Sequence, residues 1–397
     1  LQISYLGYKT ETLNVGSRTN FTVRMEKDSS TDIDEIVVIG YGQVAKKDLT
    51  GSVATVKMND IKDVPVLSVD NALQGRIAGA DFMSTTGEPG ATTTIRIRGI
   101  TSINGGSPLV LVDGFEFDMD KLDPSTVESV SILKDAAAAS IYGAKAGNGG
   151  ILITTKRGEG ERPVVSYDGQ FSVSSVSKTI DMLNAYEFAK IFKEARDGAY
   201  LFNVPTGSID DPYEDRPQTY HRVDPLITAY LQDKTGTMTD TDWQDAIFRT
   251  AYSTKHSVSV SGRTKTLGYY IGANYLYREG TIIGSDFERY SLRANIDGKR
   301  NRLKYGVSFS PSYSKTNYIS SDTQYGDDGV IASALMAPPV FPVYNTDGSY
   351  NWDMNGFLRV NSWDTQTNEV LNPVALALEI DDVREKINIL GNAYVSY

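Results

Sequence analysis

Two rhythms of hydrophobic and polar residues divide this chain. Up to about Gly160, short apolar runs alternate with turn and cap signals. Beyond it, segments of strict two-residue alternation are separated by connections of very unequal length. The sharpest single run is Asp34-Glu35-Ile36-Val37-Val38-Ile39-Gly40-Tyr41-Gly42. Two acids lead into four β-branched residues, which favour an extended backbone, and a Gly-Tyr-Gly turn stops them. The preceding Asp28-Ser29-Ser30-Thr31-Asp32 is polar and linker-like. A strand on such a tether either completes a sheet of its own domain or is added to the edge of another protein's sheet.

Ahead of the tether, residues 1–27 read as short alternating strands with turns at Gly7-Tyr8 and Asn14-Val15-Gly16, like the end of a small β-sandwich. Residues 44–160 mix α and β signals. Ser52–Val56 alternates as a strand, and Ser68 is placed to cap a helix over Val69–Ile77. Thr93, Ile95 and Ile97 share one strand face; Thr94, Arg96 and Arg98 share the other. Leu109–Val112 is a buried strand stopped by Asp113-Gly114, and Asp123-Pro124 is a helix start. Val130–Leu133 is a strand, Asp135 caps a helix over Ala136–Ala139 that ends at Gly143, and Gly149–Lys156 is a closing strand. Together these predict a compact α+β domain.

After Gly160 six segments alternate with period two: Val165–Val173, His256–Ser261, Tyr269–Tyr277, Tyr290–Asp297, Leu303–Ser314 and Ile387–Tyr397. Each sets an apolar, aromatic-bearing face against small polar residues. The first connection is long and holds an amphipathic helix near Asn184–Ala195. The second, Gly262–Leu267, is short, and the third, Glu279–Ser285, is intermediate. The fourth is a tight turn at Asp297-Gly298-Lys299, and the fifth is long again through Asp322–Glu385. Short turns on one side and long connections on the other are the habit of an outer-membrane β-barrel. Six strands cannot close one, and lipid tolerates no open sheet edge, so more strands are expected after Tyr397. The chain also starts inside an alternating run at Leu1, so it reads as a piece of a longer protein in which a signal peptide cannot be observed.

A net charge of −11 argues against nucleic acid as a partner. There is no cysteine, so neither disulfides nor a thiolate metal site, and His221 and His256 are too few for a histidine zinc site. No apolar run approaches the ~18 residues of a membrane helix. Gly40-x-Gly42-x-x-Ala45 matches a dinucleotide fingerprint, but Lys46–Gly51 leads into another strand instead of a helix, which removes that reading. The acids Asp113, Glu116, Asp118, Asp120 and Asp123 lack calcium-loop spacing and read as a solvated turn and a helix cap. Arg96 and Arg98 are read as structural, pairing with wall carboxylates if the domain sits in a polar lumen. Trp243, Trp352 and Trp363 lie in the long connections, where loop packing or stacking on a ligand are both open. No nucleophile–base or paired-carboxylate arrangement stands out, so no catalytic residue, metal or cofactor is expected.

At this density of motifs the chain resembles the SusC/RagA-type TonB-linked outer-membrane transporters of the Bacteroidetes. Asp34–Gly42 looks like their TonB box. Lys47-Asp48-Leu49-Thr50-Gly51-Ser52-Val53, Ala72–Gly79, Gly87-Glu88-Pro89-Gly90, Ile95-Arg96-Ile97-Arg98-Gly99-Ile100, Val112-Asp113-Gly114 and Ile151–Gly158 are similar to their plug signature. Residues 1–27 are similar to the end of the carboxypeptidase-regulatory-like sandwich that precedes the box. The order Ala144-Lys145-Ala146-Gly147 departs slightly from the family pattern.

The resemblance implies four parts: 1–27 sandwich end, 28–43 linker with TonB box, 44–160 plug, and 161–397 the first strands of an antiparallel barrel of ~22 strands when complete. It further implies TonB binding through Asp34, Glu35, Ile36, Val37, Val38 and Ile39, with ExbB/ExbD supplying the energy. A plug signature is carried by Arg96, Arg98, Gly99, Asp113 and Gly114, and a SusD-like surface lipoprotein serves as lid. The cargo it implies is a glycan oligomer, with Trp243, Trp352 and Trp363 as ligand-contacting candidates. Oligopeptide import, or a siderophore or vitamin receptor built on the same machine, are the alternatives.

Overall fold

The computed structural model describes residues 2–3, 11–12, 23, 36–39, 42–45, 53–58, 68–84, 86–91, 93–97, 106–134, 140–233, 235–320, 329–354, 356–357 and 370–397. It forms two compact units: Leu1–Met83 with Thr93–Lys156, and Ser84–Thr92 with Arg157–Tyr397.

In the first unit β1 (Gln2–Ile3) pairs antiparallel with β2 (Glu11–Thr12), and β3 (Ile36–Ile39) pairs antiparallel with β4 (Gly42–Ala45). The Gly42–Ala45 strand occupies the place where a nucleotide-binding helix would have to open. β5 (Val53–Lys57) is followed by α1 (Val69–Leu73). That helix is shorter than the Val69–Ile77 expectation: Ser68 is extended but makes no side-chain cap bond, and Gly75, at φ 70°, leaves the helical region. β6 (Ala80–Ser84) pairs with β7 (Thr93–Ile97), in which Ile97 is buried while Thr94 and Arg96 are exposed.

The main sheet of this unit adds β8 (Leu109–Val112), β9 (Phe115–Glu116), β10 (Val127–Leu133) and β11 (Gly150–Thr155), in the order β5-β10-β11-β8-β9. β11 runs parallel to β8 and antiparallel to β10. Of its inner strands, β8 and the first half of β11 are continuous apolar runs, as strands covered on both faces require, while β10 interleaves buried apolar residues with Glu128, Ser129 and Ser131. Val130, Ile132 and Ile151 are fully buried. Asp123 caps the short 3-10 turn Pro124–Thr126, accepting from the Ser125 N–H at 2.8 Å. The predicted helix over Ala136–Ala139 lies outside the described residues. Ser140–Ala146 forms 3-10 turns broken at Gly143.

The second unit is built on one six-stranded antiparallel meander: β12 (Val164–Ser174), β13 (Ala251–Arg263), β14 (Leu267–Glu279), β15 (Asp286–Arg300), β16 (Leu303–Asn317) and β17 (Val383–Ser396). These are the six alternating segments, most of them extended by polar residues at their ends. One expectation fails. Asp297, Gly298 and Lys299 are not a turn but strand residues, paired with Gly306, Tyr305 and Lys304. The chain reverses at Asn301-Arg302, where Asn301 takes φ 57°. Asparagine tolerates that left-handed backbone, so the turn needs no glycine.

The two long connections carry α2 (Ala185–Asn203), α3 (Pro225–Gln232), α4 (Trp243–Ile247), α5 (Val330–Met336) and α6 (Pro373–Glu379). α2 runs well past the predicted Ala195. Asn184 and Glu187 close a reciprocal capping box at its start. Residues from both connections share one apolar core, including Ile227, Trp243 and Ile247 from the first and Ala334, Met354 and Val374 from the second.

Candidate functional site

Four regions carry the residues singled out in the sequence. The first is the Ile36–Ile39 strand. Its register with β4 runs Ile36↔Ala45, Val37↔Val44, Val38↔Gln43 and Ile39↔Gly42, leaving two residues to join the strands. The β-branched run is therefore a strand, held in a hairpin of its own chain. Asp34 and Glu35 lie outside the described residues.

The second is the Val112-Asp113-Gly114 stop. Asp113 (φ 50°) and Gly114 (φ 91°) both adopt positive φ, as a two-residue hairpin loop of this twist demands, and Val112 pairs with Phe115 across it. Asp113 does more than turn the chain. Its carboxylate accepts from the Thr155 N–H (3.1 Å) and Thr155 Oγ1 (2.5 Å), and its own N–H donates to Ile153 O (2.9 Å). β8 ends at Val112, so the last residue of β11 would lack a partner there. Asp113 supplies that partner from its side chain. Arg96 sits exposed on β7; Arg98 and Gly99 lie outside the described residues. The neighbouring acids have local partners: Glu116 pairs with Lys145 (2.8 Å), and Asp118 with Lys121.

The third is the outer face of the six-stranded sheet. Register places Val258, Ile271, Ala273, Leu292, Ala294, Val307 and Phe309 on one face. Large apolar side chains there stand open, Val258 at 50 % and Phe309 at 44 % exposure, which water would penalise and lipid would not. Toward the long-connection end the face closes with a row of rings: Tyr167–His256 (6.2 Å between centroids), His256–Tyr275 (6.5 Å), Tyr275–Tyr290 (5.0 Å) and Tyr290–Tyr313 (6.5 Å). Glu288 accepts from the Tyr275 and Tyr290 hydroxyls, and Glu385 from that of Tyr313. One register step further out lies a charged row, Glu288↔Lys315↔Glu385. Near the short-turn end Tyr269 and Tyr305 mark the other limit. From Tyr305 to Tyr313 the strand climbs about 26 Å at ~3.3 Å per residue, or roughly 20 Å at a tilt of ~40°, close to the height of a barrel's lipid band. The opposite face is polar, with Ser257, Asn274, Arg293, Asn295 and Ser308.

The fourth is the body formed by the long connections. Trp243 is buried at 3 % exposure, and its indole N–H donates to Pro338 O (3.0 Å). Tyr230 donates to Val340 O (2.9 Å), and Thr241 Oγ1 to Phe341 O (2.7 Å). Trp243 therefore joins the two connections, whereas Trp352 is half exposed, two residues along the chain from Tyr350, whose ring packs on Tyr344 (5.1 Å). Trp363 lies outside the described residues.

Sequence reasoning missed two buried nodes here. Arg216, fully buried, bonds Asp197 (2.7 Å) and His221 O (2.9 Å) and stacks between the rings of Tyr200 and Tyr213. Burial, then the charges of Arg216 and Arg196, push the His221 imidazole below its ordinary pKa. The buried Gln244 amide accepts from Ile180 N–H (2.9 Å) and donates to Ile180 O (2.7 Å). Neither residue belongs to a periodic pattern, so nothing in the sequence marked it. Asp233, in the loop after α3, accepts from Thr235 Oγ1 and from the N–H groups of Met238, Thr235 and Gly236, which hold its carboxyl down at about 2.

A ring-bordered apolar face on an antiparallel meander, reached through a small α+β unit with a tethered strand, defines a plug-and-barrel protein of the outer membrane. Comparison with known proteins agrees. The family model of the TonB-dependent receptor plug domain matches residues 45–150. TonB-dependent receptor P3 of Formosa agariphila is 35 % identical over all of this chain and 36 % of its own length. TonB-dependent receptor SusC of Bacteroides thetaiotaomicron is 32 % identical over all of this chain and 38 % of its own. The structure of the RagAB peptide importer in its open-open state superposes with a TM-score of 0.61 at 28 % identity, covering 80 % of this chain and 36 % of that one. The chain belongs to the SusC/RagA family of TonB-dependent receptors. It spans little more than a third of the length of the curated relatives it matches.

Proposed function

We propose that this chain is the plug-bearing part of a transporter that imports a large nutrient across the outer membrane, driven by TonB. The observation that carries the reading is the pairing of a short, tethered β-branched strand, Ile36–Ile39, with a lipid-type sheet face in one chain. The strand suits addition to a partner's sheet edge, which needs only main-chain donors and acceptors and an open neighbour. In this reading Asp34–Ile39 is the segment TonB grips, released from its hairpin with Gly42–Ala45 when the site outside is filled. ExbB/ExbD supplies the force through TonB, and a SusD-like lipoprotein closes over the long connections. Arg96, Arg98 and Gly99 hold the plug, and the Asp113-Gly114 turn keeps its last strand in place.

An oligosaccharide cargo is supported by the half-exposed rings of Trp352 and Tyr344. An oligopeptide is the second reading, and a cleft between the long connections favours it. Deleting Asp34–Ile39 tests the mechanism: uptake by cells is expected to stop while ligand still binds outside. Unchanged uptake would instead indicate a barrel that transports nothing by TonB.

A further inference from the structure

The two long connections enclose a cleft of about 520 Å³, within the ~300–1,000 Å³ range of ligand sites. One wall is the segment Thr179–Asn184 with Asp240–Gln244; the other is Ala334–Pro339. The first wall is fixed in advance, because the buried Gln244 amide clamps both main-chain groups of Ile180. Its apolar lining is unusually open: Ile180 is 58 % exposed, Met182 47 %, Leu183 42 % and Met336 39 %. The tryptophan on its wall, Trp243, is buried with its N–H committed to Pro338, so no indole face is presented for a sugar to stack on.

Charge narrows the ligand further. Among the described residues that line the cleft, every charged one is an aspartate: Asp181, Asp240 and Asp242, all exposed. Asp240 Oδ1 is taken by the Ala185 N–H, and Asp242 Oδ1 by the N–H groups of Gln244 and Asp245; in each the second oxygen is left for a ligand. Anionic cargo is repelled here, and a flexible cation with an apolar neighbour is favoured. Among the described residues, the main chain of Asp181, Met182 and Leu183 makes no hydrogen bond, so this wall also offers donors and acceptors to an extended chain.

The geometry points to a binding site for an extended peptide that carries lysine or arginine beside leucine-like side chains. The apolar groups fill the Met182–Met336 gap, and the cations meet the aspartate rim. The inference rests on the import reading only in taking that peptide as cargo. Its binding needs no TonB.

The test is calorimetric titration of the full-length protein in detergent with acetyl-Leu-Lys-Leu-Lys-Leu-amide, its glutamate counterpart and maltohexaose. The lysine peptide is expected to bind, the glutamate peptide to bind at least about tenfold more weakly, and maltohexaose not to displace either. Asp181→Asn/Asp240→Asn/Asp242→Asn keeps the cap and main-chain bonds that asparagine can accept, and should weaken the lysine peptide about tenfold. Met336→Asn, at an exposed position, should weaken both peptides. Equal affinity for the two peptides, displacement by the sugar, or no effect of the triple variant would overturn the site. A triple variant that loses the surface lipoprotein but binds peptide normally would assign the cleft to the lid instead, which also overturns it. The titrations contain no TonB, so failure of the cleft and failure of TonB-driven import, which is read by uptake into cells, are distinguished.

Discussion

Asp113 concentrates three duties in one side chain and one amide: a left-handed turn residue, an acceptor for the end of β11, and a donor to Ile153. Asp113→Ala removes two charge-assisted bonds to the fully buried Thr155 and forces alanine into positive φ. It should cost the plug about 2–4 kcal/mol, against less for Asp113→Asn, which tolerates the turn. Hydrogen exchange at the Thr155 amide checks this. Normal protection in the alanine variant would contradict the assigned role.

Asp233 gives a pH prediction of definite sign. Its folded carboxyl lies at about 2, below its ordinary 3.8, so its loop bonds are favoured above about 4 and are lost as pH falls through about 2. Exchange at the Thr235, Gly236 and Met238 amides should therefore quicken across that window and not near neutrality.

At the level of elements, the backbone decides more than the pattern of side chains reveals. Gly158 lies so close to β13 and β14 that a Cβ there would stand 2.3 Å from Gly262 O and 2.3 Å from Tyr269 N. The same stretch is tied by Arg263 to Gly158 O (2.7 Å) and to Gly160 O (2.8 Å). Backbone cannot step aside as a side-chain tip can, so Gly158→Ala should lower the melting temperature of the folded protein, and Glu159→Ala, one residue on and exposed, should not. Trp243→Ala opens the core shared by the two connections and should cost that body about 3–5 kcal/mol, seen as faster proteolysis within the connections.

The strands themselves were legible, because period-two alternation is a local signal and each of the six lies where it ran. The reversal at Asn301 was not, since Gly298 drew the turn to itself while asparagine can make one unaided. Nor was the burial of Trp243, which depends on Pro338, 95 residues away. Local pattern carries no record of which distant loop will cover a side chain.

For the whole molecule the two kinds of legibility meet. Motif density from the Lys47 stretch to Gly158 pointed to the plug, and the family match over residues 45–150 falls on it. The cargo was not readable, because the groups that would choose it are brought together only by the packing of two connections remote in sequence. In the proposed mechanism the strand at Ile36–Ile39 is what couples these parts, and it offers the most direct test. Proline at Val37 removes a main-chain donor and resists sheet pairing. Ligand binding at the cell surface and uptake into the cell should be measured side by side in the Val37→Pro variant. The account predicts undiminished binding with uptake abolished; uptake at the rate of the unaltered protein would contradict it.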